Sequence, residues 1–185
     1  PPACGSPRSS RGGSFGSRAL DRSHVGTQAH EPMPQVSIVI PVYAGERTLP
    51  ALIDEIEPMT SSQTTANGNR FVVCEVLLVH DCGPDRSDRT LETLAERFGF
   101  VKPIWLSRNY GQHAATLAGM SNATGDWVVT IDEDRQQNPA DIPSLLDRAL
   151  EESLQIVYAQ PTNAPPYGVR AETAHVLMKV ETHNH

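Results

Sequence analysis

The feature that most constrains this chain is an alternation. From Val36 onward, strand-length apolar runs take turns with segments of helical period. The runs are Val36 to Ile40, Cys74 to Val79, a short Ile104 to Leu106, Trp127 to Ile131, and Ile156 to Ala159. Each is continuous rather than alternating in polarity, so each reads as a strand buried on both faces. Between them, Leu49, Leu52, Ile53 and Ile56 recur at helical spacing, and so do Leu91, Leu94, Ala95 and Phe98 before Gly99. A third helix is marked at its start by Asn138 as cap, Pro139 at the first helical position and Asp141 at the positive end of the dipole. It would turn Ile142, Leu145, Leu146, Ala149 and Leu150 inward. Gly111 to Gly125 is a weaker helix whose small residues, Ala114, Ala115, Ala118 and Gly119, permit close packing on a sheet. Strand, helix, strand repeated in this way predicts an α/β fold: a central, mostly parallel sheet with helices on both faces.

The ends of the chain do not share this pattern. Residues 1–32 are crowded with Gly, Ser, Pro and Arg and lack periodicity, which predicts a disordered leader over 1–33, with Met33 as the natural start. Residues 34–168 form the predicted domain, and 169–185 are expected to be a foreign tail joined near residues 168–174. The net charge of -7 argues against a nucleic-acid partner, because such binders carry a basic face. Cys4, Cys74 and Cys82 are odd in number and scattered, which implies neither a disulfide framework nor a zinc site and fits a cytoplasmic setting.

In an open parallel sheet, ligands bind beyond the carboxyl ends of the strands. There the sequence places Pro41, Val42 and Tyr43 after the first strand, His80, Asp81 and Cys82 after the second, and Asp132, Glu133 and Asp134 after the fourth. Asp132 and Asp134 are one residue apart; in an extended backbone both would project to one side and could meet on a hard cation such as Mg²⁺ or Mn²⁺. The alternative is an acidic loop that only caps a helix. Asp81 reads either as a turn residue or as an acceptor for a base N–H, and Tyr43 either as a strand-end aromatic or as a stacking surface for that base. No G-x-G-x-x-G follows the first strand, and no G-x-x-x-x-G-K-[ST] or G-x-S-x-G occurs anywhere. Dinucleotide dehydrogenases, P-loop enzymes and serine hydrolases of that type are therefore disfavoured.

Four segments taken together resemble a known family: Val36-Ser-Ile-Val-Ile-Pro-Val-Tyr43, Val79-His-Asp-Cys-Gly-Pro-Asp-Arg-Ser87, Leu106-Ser-Arg-Asn-Tyr-Gly-Gln-His113 and Thr130-Ile-Asp-Glu-Asp-Arg-Gln-Gln-Asn-Pro139. They are similar to family 2 glycosyltransferases, especially the branch that moves a sugar onto a polyprenyl phosphate, such as dolichol-phosphate mannose synthases. The resemblance implies a Rossmann-like, glycosyltransferase A-type nucleotide-sugar-binding fold, here C-terminally truncated. It implies a UDP- or GDP-linked donor, a lipid-phosphate acceptor, inversion at the anomeric carbon, and membrane association of the full-length protein. By position it assigns Pro41, Tyr43, Asp81, Arg108 and Asp132 to the nucleotide, and Asp132, Asp134 and Gln136 to a Mg²⁺ or Mn²⁺ ion on the diphosphate. Where the family usually has Asn-Glu after the tyrosine this chain has Ala44-Gly45, so Glu46 is expected to compensate as a nucleotide contact. The family's usual Asp-Asp-Gly-Ser is His80-Asp81-Cys82-Gly83 here.

The tail Leu177-Met-Lys-Val-Glu-Thr-His-Asn-His185 resembles instead an ATP- and magnesium-binding segment of phosphoribosylformylglycinamidine synthase. This leaves two rival expectations, a fragment of that purine-biosynthesis enzyme and a chimera without function.

Overall fold

A computed structural model describes residues 33–159 and 175–180. Seven strands form one sheet: β1 (Gln35–Val42), β2 (Gln63–Thr64), β3 (Arg70–His80), β4 (Val101–Trp105), β5 (Trp127–Thr130), β6 (Ile156–Ala159) and β7 (His175–Lys179). Four α-helices accompany them: α1 (Leu49–Ile56), α2 (Ser87–Arg97), α3 (Gln112–Asn122) and α4 (Ile142–Glu151). Across the sheet the order is β4, β3, β1, β5, β7, β6, with two-residue β2 pairing antiparallel to the start of β3. β1 pairs parallel with β3 and with β5, and β3 parallel with β4.

The central strands behave as their sequences predict. Seven of the eight β1 residues are buried, because helices cover both faces. On one face α1, α2 and α4 bury Leu49, Leu52, Ile53, Ile56, Leu91, Ile142 and Leu146 against Ile38, Ile40, Leu78 and Val129. On the other, α3 packs on Val39, Leu77, Val79 and Val128 through Ala115, with Gly119 also buried. Each fully buried Leu or Ile on α1 contributes about 1.5–3 kcal/mol relative to exposure, which outweighs the helix's lack of a side-chain cap. Pro50 is tolerated because it lies in the first turn, where its missing N–H has no intrahelical partner to lose. Asn138 does cap, accepting from the Ala140 N–H at 3.0 Å, but it caps a short 3-10 turn, Pro139–Asp141, that leads into α4.

The edges depart from expectation. Ile156–Ala159 is the outermost strand rather than a central one, with Ile156 45% and Tyr158 63% exposed. Leu150 is 36% exposed, not inward. The segment 169–185, expected to be a foreign tail, contributes β7, a strand between β5 and β6 and antiparallel to both. Leu177 is fully buried there, beside Val129 of β5 and Val157 of β6. The edge of β5 away from β1 is thereby covered. Residues 1–32 of the predicted leader, residues 165–168 and residues 181–185 lie outside the described residues.

Candidate functional site

Chain order reverses beside β1. The chain runs outward through β3 and β4, then returns to place β5 on the other side of β1. A crevice beyond the carboxyl ends of β1 and β5 is the ligand position of such a sheet, and the loops that meet there are 43–48 and 131–138.

Pro41 fits the end of a central strand for a simple reason. Val39 O accepts from Ile131 N on the β5 side, and by strand alternation the Pro41 nitrogen faces that side too. The β1–β5 pairing has ended at Val39 with Thr130, so a residue without an N–H costs no ladder bond. The next residue but one, Tyr43, has left the sheet and is 48% exposed.

The loop after β1 is tied to its neighbours by backbone donors. Gly45 N donates to Ser87 Oγ at 2.9 Å and Glu46 N to Asp85 Oδ2 at 3.0 Å. Glu46 Oε2 in turn accepts from Arg86 N at 3.3 Å, at the start of α2. Burial pushes Asp85 up, but the Ser87 hydroxyl and the Glu46 and Ser87 N–H groups outweigh it and hold the carboxyl below its ordinary range. Gly83 lies against the Tyr43 carbonyl, where a Cβ could not fit. The Cys82-Gly83 departure from the family pattern is thus a backbone contact, with Cys82 itself at φ 50°.

Asp81 is 3% exposed, and both its oxygens are engaged. Oδ1 accepts from Tyr110 N at 2.7 Å and Oδ2 from Gly111 N at 2.8 Å, fixing the turn that opens α3. Asp81 thus anchors the turn at Tyr110–Gly111 rather than one within its own segment. Arg108, in the same loop, lies with its guanidinium 4.8 Å over the Tyr110 ring.

After β5 the backbone leaves the extended conformation expected for the acidic pair. It turns at Glu133–Asp134, with Arg135 in the left-handed region at φ 62°. Asp132 Oδ1 accepts from Gln112 Nε2 at 2.7 Å and Oδ2 from Gln137 Nε2 at 3.2 Å. Asp134 is exposed and accepts the Gln136 N–H at 3.0 Å. The side chain of Gln136 is exposed, whereas its neighbour Gln137 is buried and also accepts from Asp132 N at 2.9 Å. Gln137 was not singled out from the sequence, since two adjacent glutamines look alike until the turn at Arg135 decides which one faces in.

Glu133 was also missed. Its oxygens accept from Tyr43 N at 3.1 Å and Ala44 N at 2.8 Å, joining the loop after β5 to the loop after β1. Burial raises its pKa, and this outweighs the two N–H groups that favour the carboxylate.

Among the described residues, no three His, Cys, Asp or Glu side chains form a metal cage. Two carboxylates from one loop are nevertheless the donor set that suits Mg²⁺ or Mn²⁺ when phosphate oxygens and water complete the shell. No described helix is long and apolar enough to cross a membrane.

A mixed sheet, parallel from β4 through β3 and β1 to β5 and antiparallel at β7, with helices on both faces and the loops after β1 and β5 meeting at its reversal, defines an α/β protein of the Rossmann-like class. Residues 37–178 match the family described as glycosyl transferase family 2, and the chain belongs to that family. It is 45% identical over 121 residues to undecaprenyl-phosphate 4-deoxy-4-formamido-L-arabinose transferase of Pseudomonas paraeruginosa, covering 65% of this chain and 34% of that protein. The same transferase of Klebsiella pneumoniae is 40% identical over 123 residues, 66% of this chain and 36% of the relative. The chain thus spans about a third of the length of these relatives. Among solved structures, S. aureus TarS superimposes with a TM-score of 0.54 at 20% identity, over 73% of this chain and 38% of that one. A mannosyltransferase from Pyrobaculum calidifontis, in complex with GDP-Man and Mn²⁺, gives 0.54 at 17% over 68% and 35%. Both establish the glycosyltransferase A-type fold. The likeness of the tail to phosphoribosylformylglycinamidine synthase gains no support, and the family match runs into that tail as far as residue 178.

Proposed function

We propose that the protein transfers a sugar from a UDP- or GDP-linked donor to a polyprenyl phosphate, with inversion and with Mg²⁺ or Mn²⁺, and that the described residues form its donor-binding side. The observation carrying this reading is the meeting of the Tyr43 loop and the Asp132–Asp134 loop at the reversal of the sheet, bridged by Glu133. The names of the curated relatives supply the acceptor class, a lipid phosphate, and with it membrane association.

In this reading Tyr43, half exposed at the end of β1, stacks on the base, and Pro41 shapes the floor beneath it. Asp81 holds the Tyr110–Gly111 turn and accepts from the base on a remaining lone pair. Arg108 faces phosphate from the same loop. Glu46 serves the nucleotide indirectly, by holding Arg86 N and so the shape of the loop. Asp132 and Asp134 would hold the ion, with Gln136 beside them and Gln137 and Gln112 orienting Asp132. The ion would supply positive charge to the diphosphate as it departs. An acceptor phosphate is already anionic, so the displacement asks little of a general base.

The test is calorimetric titration of UDP and GDP with and without Mn²⁺. One of the two diphosphates is expected to bind more than about tenfold more tightly with Mn²⁺. Equal, millimolar binding of both under both conditions would overturn the reading.

A further inference from the structure

Glu133 lies between the two aspartates assigned to the ion, yet its carboxylate points to the other loop, where it takes the Tyr43 and Ala44 N–H groups. The space it occupies is made by Gly45. A Cβ on residue 45 would stand 2.7 Å from Glu133 Oε2 and 2.7 Å from Leu49 Cδ1. Leu49 is fully buried at the start of α1 and cannot give way cheaply, so a larger residue at 45 would push the Glu133 carboxylate off the loop. Gly45 and Glu133 are thus two halves of one contact.

The two N–H groups are consecutive on the chain, and both donate to one carboxylate. Such charge-assisted bonds are about twice as strong as neutral ones. They decide where Tyr43 leaves the sheet, since its own N–H is one of the pair. The remaining ties of this loop, Gly45 N to Ser87 and Glu46 N to Asp85, lie further along and leave the Tyr43–Ala44 peptide to Glu133 alone among the hydrogen bonds of the described residues.

We infer that Glu133 is a positioning residue for the nucleoside: it sets the Tyr43–Ala44 backbone from the opposite loop, within a space that Gly45 keeps open. The inference rests on the donor-binding reading above. In this role Glu133 acts through the Tyr43 and Ala44 backbone.

The experiment compares wild type with Glu133→Gln, Gly45→Ala and the double variant Gly45→Ala/Glu133→Gln. Three quantities are read: the Kd of the preferred nucleoside diphosphate with Mn²⁺, the Kd of Mn²⁺ alone, and the melting temperature. Glutamine keeps the size but presents an NH₂ to one of two donors. It is expected to weaken nucleotide binding about tenfold while Mn²⁺ binding stays within about twofold and melting is little changed. Gly45→Ala, which keeps the charge, is expected to weaken nucleotide binding to a similar degree. The double variant should be no worse than the worse single one, as for residues acting through one contact. Unchanged nucleotide Kd in Glu133→Gln would overturn the inference, as would a matching loss of Mn²⁺ affinity or additive losses in the double variant. Failure of wild type itself to bind either diphosphate would instead overturn the donor-binding reading.

Discussion

At the scale of single residues, the site is held by carboxylates that accept backbone N–H groups. Asp81 takes Tyr110 and Gly111, Glu133 takes Tyr43 and Ala44, and Asp85 takes Glu46 and Ser87. Removing one orphans the donors it served. Asp81→Ala is expected to lower the unfolding free energy by about 2 kcal/mol, measured by urea denaturation, and to lose hydrogen-exchange protection at Tyr110 and Gly111. Retained protection at both amides would show that Asp81 does not organise this turn. The residue types at the strand ends were legible in the sequence, because a buried apolar run that stops at a polar cluster marks a sheet edge. Their partners were not legible. Asp81 and the amides it binds are 29 and 30 residues apart, Glu133 and its donors 90 and 89, and no local pattern reports contacts of that span.

At the scale of elements, hydrophobic period located the central strands and the stripes of α1 and α4 because both faces of that part of the sheet are covered. It is weak at β7, whose three apolar residues Val176, Leu177 and Met178 sit among polar ones and which is settled as a strand by pairing with β5 and β6. It also missed β2, which is two residues long. A buried carboxylate away from the site joins several elements. Glu75 on β3 accepts from Ser37 Oγ on β1 at 2.7 Å, Lys102 Nζ on β4 at 2.6 Å and Thr124 N after α3 at 2.6 Å. Burial raises its pKa, but the hydrogen bonds from Lys102, Ser37 and Thr124 outweigh this and carry it from 4.5 down to about 2. A depressed carboxyl stabilises the fold above the unfolded value, and that contribution is lost as pH falls through the folded value. The stabilisation, on the order of 2 kcal/mol after allowing for a half-exposed Lys102, should therefore fade between about pH 4.5 and pH 2. Unfolding measured across that window should be steeply pH-dependent in wild type and flatter in Glu75→Gln; equal slopes would remove Glu75 from the acid response.

At the scale of the whole molecule, the sheet does one thing for function: its reversal brings the loops after β1 and β5 side by side. The family was readable because four short segments resembling it occur together in one chain, and residues 37–178 match it. The finer geometry of the acidic pair was not readable. The turn at Arg135 places Asp134 outward, and two amides, Gln112 from α3 and Gln137 from the same loop, set the orientation of Asp132. The central claim is that this pair makes nucleotide binding depend on a divalent ion. Its most direct test is titration of the preferred nucleoside diphosphate into wild type and the Asp132→Asn, Asp134→Asn double variant, each with and without Mn²⁺. Wild type is predicted to bind more than about tenfold more tightly with Mn²⁺ while the variant shows no such gain. An undiminished Mn²⁺ effect in the variant would contradict the account.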